Sequence, residues 1–223
     1  MKLSIVGAGS SRLPLMLASV AKAALDRPLD EVALYDVRPR RIDALLPVAR
    51  ALAAACGTLP RVTIATTPEA CLEGADAAVF TIRPGFEEAR AADERACLDL
   101  GVIGQETTGP AGFAFACRSL PALEDLCRIA VRSNPRCLLV VFTNPAGLVT
   151  RGLLDAGFEG AVGVCDSANV AVNAVAGRAG IDPLSTDFDV YGLNHLSWTR
   201  RVTSDGRDLL AEALADDDFL ART

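Results

Sequence analysis

The residues of this sequence with chemistry to offer stand at the ends of apolar runs. Gly7-Ala8-Gly9-Ser10-Ser11-Arg12 follows the run Lys2–Val6 and precedes Leu13–Leu25, which reads as a helix. Glycines there permit a tight turn and close approach of the backbone to a ligand. The free N–H groups of a helix start attract an anion, so the pattern suits a dinucleotide pyrophosphate. Asp36 closes a second apolar run, Glu31–Val37. A carboxylate in that place accepts a ribose 2′-OH and repels a 2′-phosphate, which favours NAD over NADP. Arg38, Arg40 and Arg41 close by weigh the other way. The alternative is a glycine turn in a sheet protein that binds no nucleotide.

Three more polar segments follow apolar runs. Asn144 lies in Phe-Thr-Asn-Pro-Ala-Gly after Cys137–Phe142, Cys165 in Gly-Val-Cys-Asp after Ala161–Val164, and His195 in Gly-Leu-Asn-His-Leu-Ser-Trp after Asp187–Leu193. Ligands of open α/β sheets bind outside the carboxyl ends of the strands, so all three residues are expected in one crevice. One soft thiolate, one imidazole and nearby oxygen donors suit a divalent ion such as Mn2+. No Cys-rich spacing supports a closed zinc site. The bland readings stay open: Cys165 as a small buried hydrophobe, His195 as a satisfied structural histidine, and Arg90 as an ordinary surface residue. Asp93 and Glu94 are read as favouring the dipole at a helix start, and Asp216–Asp218 as a solvated turn or helix start.

The elements that must position these residues alternate. Strands are expected at Lys2–Val6, Glu31–Val37, Arg61–Thr66, Ala77–Ile82, Cys137–Phe142 and Ala161–Val164. Helices are expected at Leu13–Leu25, Arg40–Cys56, Glu87–Leu100, Leu120–Ser133, Gly147–Ala156 and Ser167–Ala179. Such alternation means βαβ units with right-handed crossovers, hence an α/β, Rossmann-like, doubly wound parallel sheet. The fully apolar Cys137–Phe142 fits a strand buried on both faces. Beyond about Asp182 the pattern changes to a strand at Asp187–Leu193 and a hairpin around Ser204-Asp205-Gly206. The expected division is therefore 1–181 as an NAD-binding domain and 182–223 as the start of a mixed α+β domain.

Bulk properties narrow the partners. The 223 residues are 51% hydrophobic and 22% charged, with a net charge of −6 and no cluster of Lys and Arg. That composition supports a substantial core and argues against nucleic acid or an anionic membrane as a partner. Neither a signal peptide nor an 18-residue apolar span is read, so the expected location is the cytoplasm. Seven cysteines without a CxxC pair fit reduced thiols, six of them expected to be buried.

Ile82-Arg83, Arg90, Asp93-Glu94, Ile-Gly-Gln-Glu-Thr-Thr-Gly-Pro from Ile103, and the Asn144, Cys165 and His195 segments occur together, in order, across the whole chain. In this combination the sequence resembles family 4 glycoside hydrolases, and the segment around Gln105-Glu106 is similar to the 6-phospho-β-glucosidase branch. The resemblance implies NAD and Mn2+ as cofactors and a phosphorylated sugar glycoside as substrate. It implies Gly7, Gly9, Ser10, Ser11, Arg12, Asp36, Ile82 and Arg83 at the cofactor. Arg90, with Arg83, would meet the sugar phosphate, and Gln105, Glu106 and Asn144 the sugar. Cys165 and His195 would ligate the metal, and Asp166 would be a catalytic acid like that of α-type members. Phe86 stands where the family commonly has a second glycine, and Arg151 where it commonly has Glu.

The reaction implied for the family departs from paired-carboxylate hydrolysis. Sugar C3 is oxidised by hydride transfer to NAD, and the metal polarises the ketone so that C2 loses a proton. The aglycone is eliminated, water adds, and the hydride returns. The family's general-base tyrosine lies past the histidine motif, whereas Tyr35 and Tyr191 both precede His195. The expectations are thus that this is the N-terminal half of such an enzyme, that the base lies past Thr223, and that the full-length protein is a homo-oligomer. The alternatives are a non-catalytic, truncated NAD-binding protein and a lactate- or malate-type dehydrogenase.

Overall fold

The computed structural model describes residues 1–23, 27–165, 167, 169–193 and 195–222. They form two compact units, Met1–Val164 and Cys165–Thr223.

The first unit alternates strand and helix: β1 (Lys2–Val6), α1 (Leu13–Lys22), β2 (Glu31–Tyr35), α2 (Pro39–Cys56), β3 (Arg61–Ile64), α3 (Pro68–Leu72), β4 (Ala77–Phe80), α4 (Phe86–Asp99), α5 (Gly109–Ser133), β5 (Leu138–Val141), α6 (Ala146–Asp155) and β6 (Ala161–Gly163). Every strand pairing is parallel, in the order β3-β2-β1-β4-β5-β6, which is the doubly wound order anticipated from the alternation. The order reverses between β1 and β4, so the glycine turn after β1 opens at the switch point.

Successive strand residues feed opposite faces. Ile5, Val32 and Leu34 pack under α1 and α2 with Leu13, Leu17 and Ile42. Val6, Phe80, Leu139 and Val141 pack on the other face with Leu123, Cys127 and Leu153. Both clusters are fully apolar, as a sheet covered on both sides requires.

The second unit contains α7 (Asn169–Arg178), a 3₁₀ turn at Pro183–Ser185, β7 (Asp187–Leu193), β8 (Leu196–Ser204), β9 (Arg207–Asp208), α8 (Leu209–Leu214) and α9 (Asp217–Leu220). Its sheet is antiparallel, in the order β7-β8-β9. Val172 and Val175 of α7 share a core with Val202, Leu209 and Ala213. That packing is why α7 groups with the residues after it.

Several expectations are corrected. The helix expected at Leu120 begins at Gly109 and runs through Pro121; its first turns are rich in Gly and Pro, which lower helix propensity without preventing packing. Helix α3 was not expected, although Thr67 caps it by accepting from the Ala70 N–H at 3.1 Å. The β8–β9 turn lies at Asp205-Gly206 as expected, both with positive φ. A preceding hairpin, β7–β8, was missed. Asp93 and Glu94 sit in the middle of α4, not at its start. Of the six cysteines expected in the core, Cys56 and Cys117 are exposed, because Cys56 ends α2 and Cys117 lies on the outer face of α5. Burial pushes the Cys71 thiol up to about 11 and the Cys127 thiol up to about 12, so both stay protonated and inert.

Candidate dinucleotide and metal sites

The turn after β1 is held by backbone and by one carboxylate. The Tyr35 carbonyl accepts from the N–H groups of Gly7 at 2.9 Å and Ala8 at 3.0 Å. Gly7 has φ +91°, and a Cβ there would run into the Thr81 carbonyl. Only glycine suits that conformation and that approach. Gly9 donates its N–H to Asp36 Oδ2 at 2.7 Å, and Arg38 N–H donates to Asp36 Oδ1 at 2.8 Å. Asp36 therefore stands at the end of β2 with both oxygens aimed and its remaining lone pairs available. Ser10 Oγ accepts from Arg12 N–H at 3.3 Å, bracing the turn into α1.

The start of α1 has the properties of an anion site. Its first turn carries no acidic residue and its N-cap, Arg12, makes no side-chain cap. The Arg12 guanidinium lies 4.5 Å from the Phe142 ring centroid. A cation at a helix N-terminus opposes the dipole unless an anion joins it. The glycine cradle, the open helix start and the acidic end of β2 fit an NAD pyrophosphate and ribose.

A second cluster centres on Glu106. Its carboxylate accepts from Arg83 Nη1 at 2.5 Å and from Asn144 Nδ2 at 3.0 Å, with Arg90 Nη1 at 3.4 Å. Arg90 Nε also donates to Glu94 at 2.8 Å, and Arg83 Nε lies 3.2 Å from Glu87. Burial pushes the Glu106 carboxyl up, but hydrogen bonds from Arg83 and Asn144 and the two guanidinium charges outweigh it. The group sits below its ordinary value. Arg90 is thus engaged in the cluster, and its own pKa is raised by the Glu94 hydrogen bond above all.

Three elements bring the cluster together. Thr143 Oγ1 donates to the Phe80 carbonyl and accepts from Ile82 N–H, both at 3.1 Å, tying the ends of β4 and β5. That bond fixes Ile82-Arg83 beside Asn144, whose bond to Pro145 is cis. Gln105 turns its side-chain carbonyl into its own loop, accepting from Thr107 N–H at 2.5 Å and Thr108 N–H at 2.7 Å. It shapes the turn that presents Glu106. Sequence reasoning missed Arg118, which is paired with Asp93 and lies 5.8 Å from the Phe115 ring centroid. A single Arg on a helix carries no signal by itself.

The third candidate lies wholly in the second unit. Cys165 Sγ is 3.6 Å from His195 Nε2, and Ser167 Oγ is 3.4 Å from the same sulfur. His195 sits in the β7–β8 turn with φ +61°, on an antiparallel hairpin of the region expected to be mixed α+β. Among the described residues no third His, Cys, Asp or Glu joins the pair. Asp166 and Asn194 lie outside the described residues. A thiolate and an imidazole at this separation fit two ligands of a borderline divalent ion.

Known proteins add a common answer. The family model described as family 4 glycosyl hydrolase matches residues 2–180. The 6-phospho-beta-glucosidase BglT of Thermotoga maritima is 32% identical over 215 residues, covering 94% of this chain and 50% of its own. A solved structure of the 6-phospho-beta glucosidase from Thermotoga maritima with manganese, NAD+ and glucose-6-phosphate matches at a TM-score of 0.85 and 29% identity, over 96% of this chain and 52% of that one. The lactate dehydrogenase of Eimeria maxima matches at a TM-score of 0.63 over 99% of this chain and 63% of its own, but at 15% identity, which shows a shared fold alone. This chain spans about half the length of the curated relatives it matches. The chain belongs to family 4 of the glycosyl hydrolases.

Proposed function

We propose that this family 4 chain serves the hydrolysis of O-glycosidic bonds in 6-phospho-glycosides, with NAD and a divalent metal ion, Mn2+, as cofactors. The observation that carries the reading is the Cys165–His195 pair at 3.6 Å in a chain of this family, beside a relative whose structure was solved with manganese, NAD+ and glucose-6-phosphate.

In this reading Gly7, Gly9, Ser10, Ser11 and Arg12 hold the pyrophosphate of NAD, and Asp36 the adenosine ribose. Ile82 and Arg83 border the cofactor, and Arg83 and Arg90 share the sugar phosphate. A dianion suits the two guanidiniums, because Arg83 and Arg90 meet their carboxylates through Nε and Nη1 and each keeps Nη2 to offer. Gln105, Glu106 and Asn144 orient the sugar. Cys165 and His195 ligate the metal, and Asp166, next to Cys165, serves as a catalytic acid.

When bound, NAD supplies a reversible hydride acceptor for sugar C3, and the metal supplies Lewis-acid polarisation. The chain's own work is to fix the sugar by its phosphate and hydroxyls, to hold C3 in register and to keep the thiolate as ligand. Segment 1–181 acts as the NAD domain and 182–223 opens the catalytic and oligomerisation domain. A cytoplasmic homo-oligomer without nucleic-acid or membrane partners completes the proposal. The net charge of −6 speaks against an anionic macromolecular partner, and among the described residues no helix is long and apolar enough to cross a membrane.

The test is aglycone release from p-nitrophenyl β-glucoside 6-phosphate by the intact gene product under reducing conditions. Release is expected to need both NAD+ and Mn2+, to vanish in EDTA and to fall at least about tenfold in Cys165→Ser. Release that continues after both cofactors are stripped would overturn the reading.

A further inference from the structure

Phe86 has φ +55°, in the left-handed region. A bulky L-residue is strained there by roughly 1–2 kcal/mol, whereas glycine is not. Core packing does not compensate for this strain. Phe86 is only half-buried and belongs to none of the buried clusters. The Arg38 guanidinium lies over its ring, 3.3 Å from the centroid. Arg38 is itself exposed. Among the described residues no carboxylate lies within ion-pair distance of it. A strained aromatic outside the core clusters, stacked on an exposed cation, is the kind of outlier from which function is inferred.

The place of this pair gives it a meaning. Arg38 lies two residues past Asp36 and donates its backbone N–H to that carboxylate. Phe86 opens α4, just past the end of β4. The stack therefore bridges the chain segments that follow β2 and β4, beside the carboxylate proposed to hold the adenosine ribose. One face of the planar guanidinium is covered by Phe86. Arg38 is otherwise exposed, so its guanidinium can take a second flat ring, since guanidinium planes stack on aromatic systems as readily as they pair with anions.

We propose that Phe86 and Arg38 form the specificity-determining pair for the cofactor's adenosine end. Phe86 pins Arg38 flat, so that its outer face stacks on the adenine base. The same pinning fixes the direction of the guanidinium's N–H edge, so that Arg38 cannot swing it onto a 2′-phosphate beside Asp36. Asp36 rejects NADP by charge, and Phe86 adds to this by holding the Arg38 edge in one direction. This inference rests on the NAD reading above.

The test is titration of the purified protein with NAD+ and, separately, with NADP+ by calorimetry, in the wild type, Phe86→Gly, Arg38→Ala and the double variant. Phe86→Gly relieves the backbone strain, so a folded protein with an unchanged or higher Tm is expected. NAD+ affinity should fall about tenfold in Phe86→Gly as the stack is lost, with the NAD+ preference over NADP+ narrowing as Arg38 is released. Arg38→Ala should weaken NAD+ to a similar extent with no gain for NADP+. The double variant should be no worse than Arg38→Ala, since the two side chains act as one unit. NAD+ affinity and cofactor preference unchanged in Phe86→Gly would overturn the inference and leave the NAD reading standing. A wild type that shows no saturable NAD+ binding would overturn both, so the two failures are distinguishable.

Discussion

Glu106 shows how much of its cluster depends on one charge. Its oxygens receive Arg83, Arg90 and Asn144, and its side chain is 15% exposed. Because its folded pKa lies below the ordinary 4.5, it stabilises the fold above that value. The stabilisation is lost as pH falls through the lowered folded value. Glu106→Gln should therefore cost about 1–2 kcal/mol at neutral pH by leaving two partly buried guanidiniums underpaired, and should flatten the acid limb of the stability curve. Urea unfolding at pH 7 and at pH 3 measures both effects. An equal loss at both pH values would show that the carboxylate's charge is not what matters. At this scale the sequence was uneven as a guide. Gly7 and Asp36 announced themselves because their places after strands are set by chain order. The partners of Arg90, Arg118 and Arg38 are set by the packing of α4 against α5 and of two distant loops, which chain order does not display.

At the scale of elements, the glycine turn and the end of β4 are made for each other. Gly7 lies against the Thr81 carbonyl, Gly9 against the Asp36 carboxylate, and Thr143 ties β4 to β5. The site rests on strand ends held in register by a sheet whose two faces are fully packed. Gly7→Ala combines a left-handed φ with a backbone collision, and is expected to destabilise by about 1–3 kcal/mol. NAD+ binding should be lost with it. Thermal melting with and without NAD+ reports both, and a variant with wild-type Tm and a wild-type NAD+ shift would contradict the packing argument. Strand positions were legible because a buried parallel strand is an unbroken apolar run. The first three turns of α5 were not, since Gly109, Pro110 and Gly112 read as loop until tertiary packing of Ala111, Phe115 and Ala116 makes them helix. The β7–β8 hairpin was missed for the related reason that its turn residues, at the His195 motif, look like a ligand loop.

For the whole molecule, the central claim is that a dehydrogenase-like fold serves a hydrolysis. In the proposed reading, the open α1 start and Asp36 would hold the hydride acceptor, and the Cys165–His195 pair would ligate the metal that polarises the carbonyl. A hydrolysis that runs through oxidation at C3 makes the C2 proton acidic, whereas direct displacement at C1 never touches it. The measurement that separates these is NMR of the sugar after turnover of a 6-phospho-glycoside in D2O with NAD+, Mn2+ and reductant. The account predicts solvent deuterium at C2 of the released sugar phosphate, dependent on NAD+. Hydrolysis that leaves the C2 proton in place would contradict it.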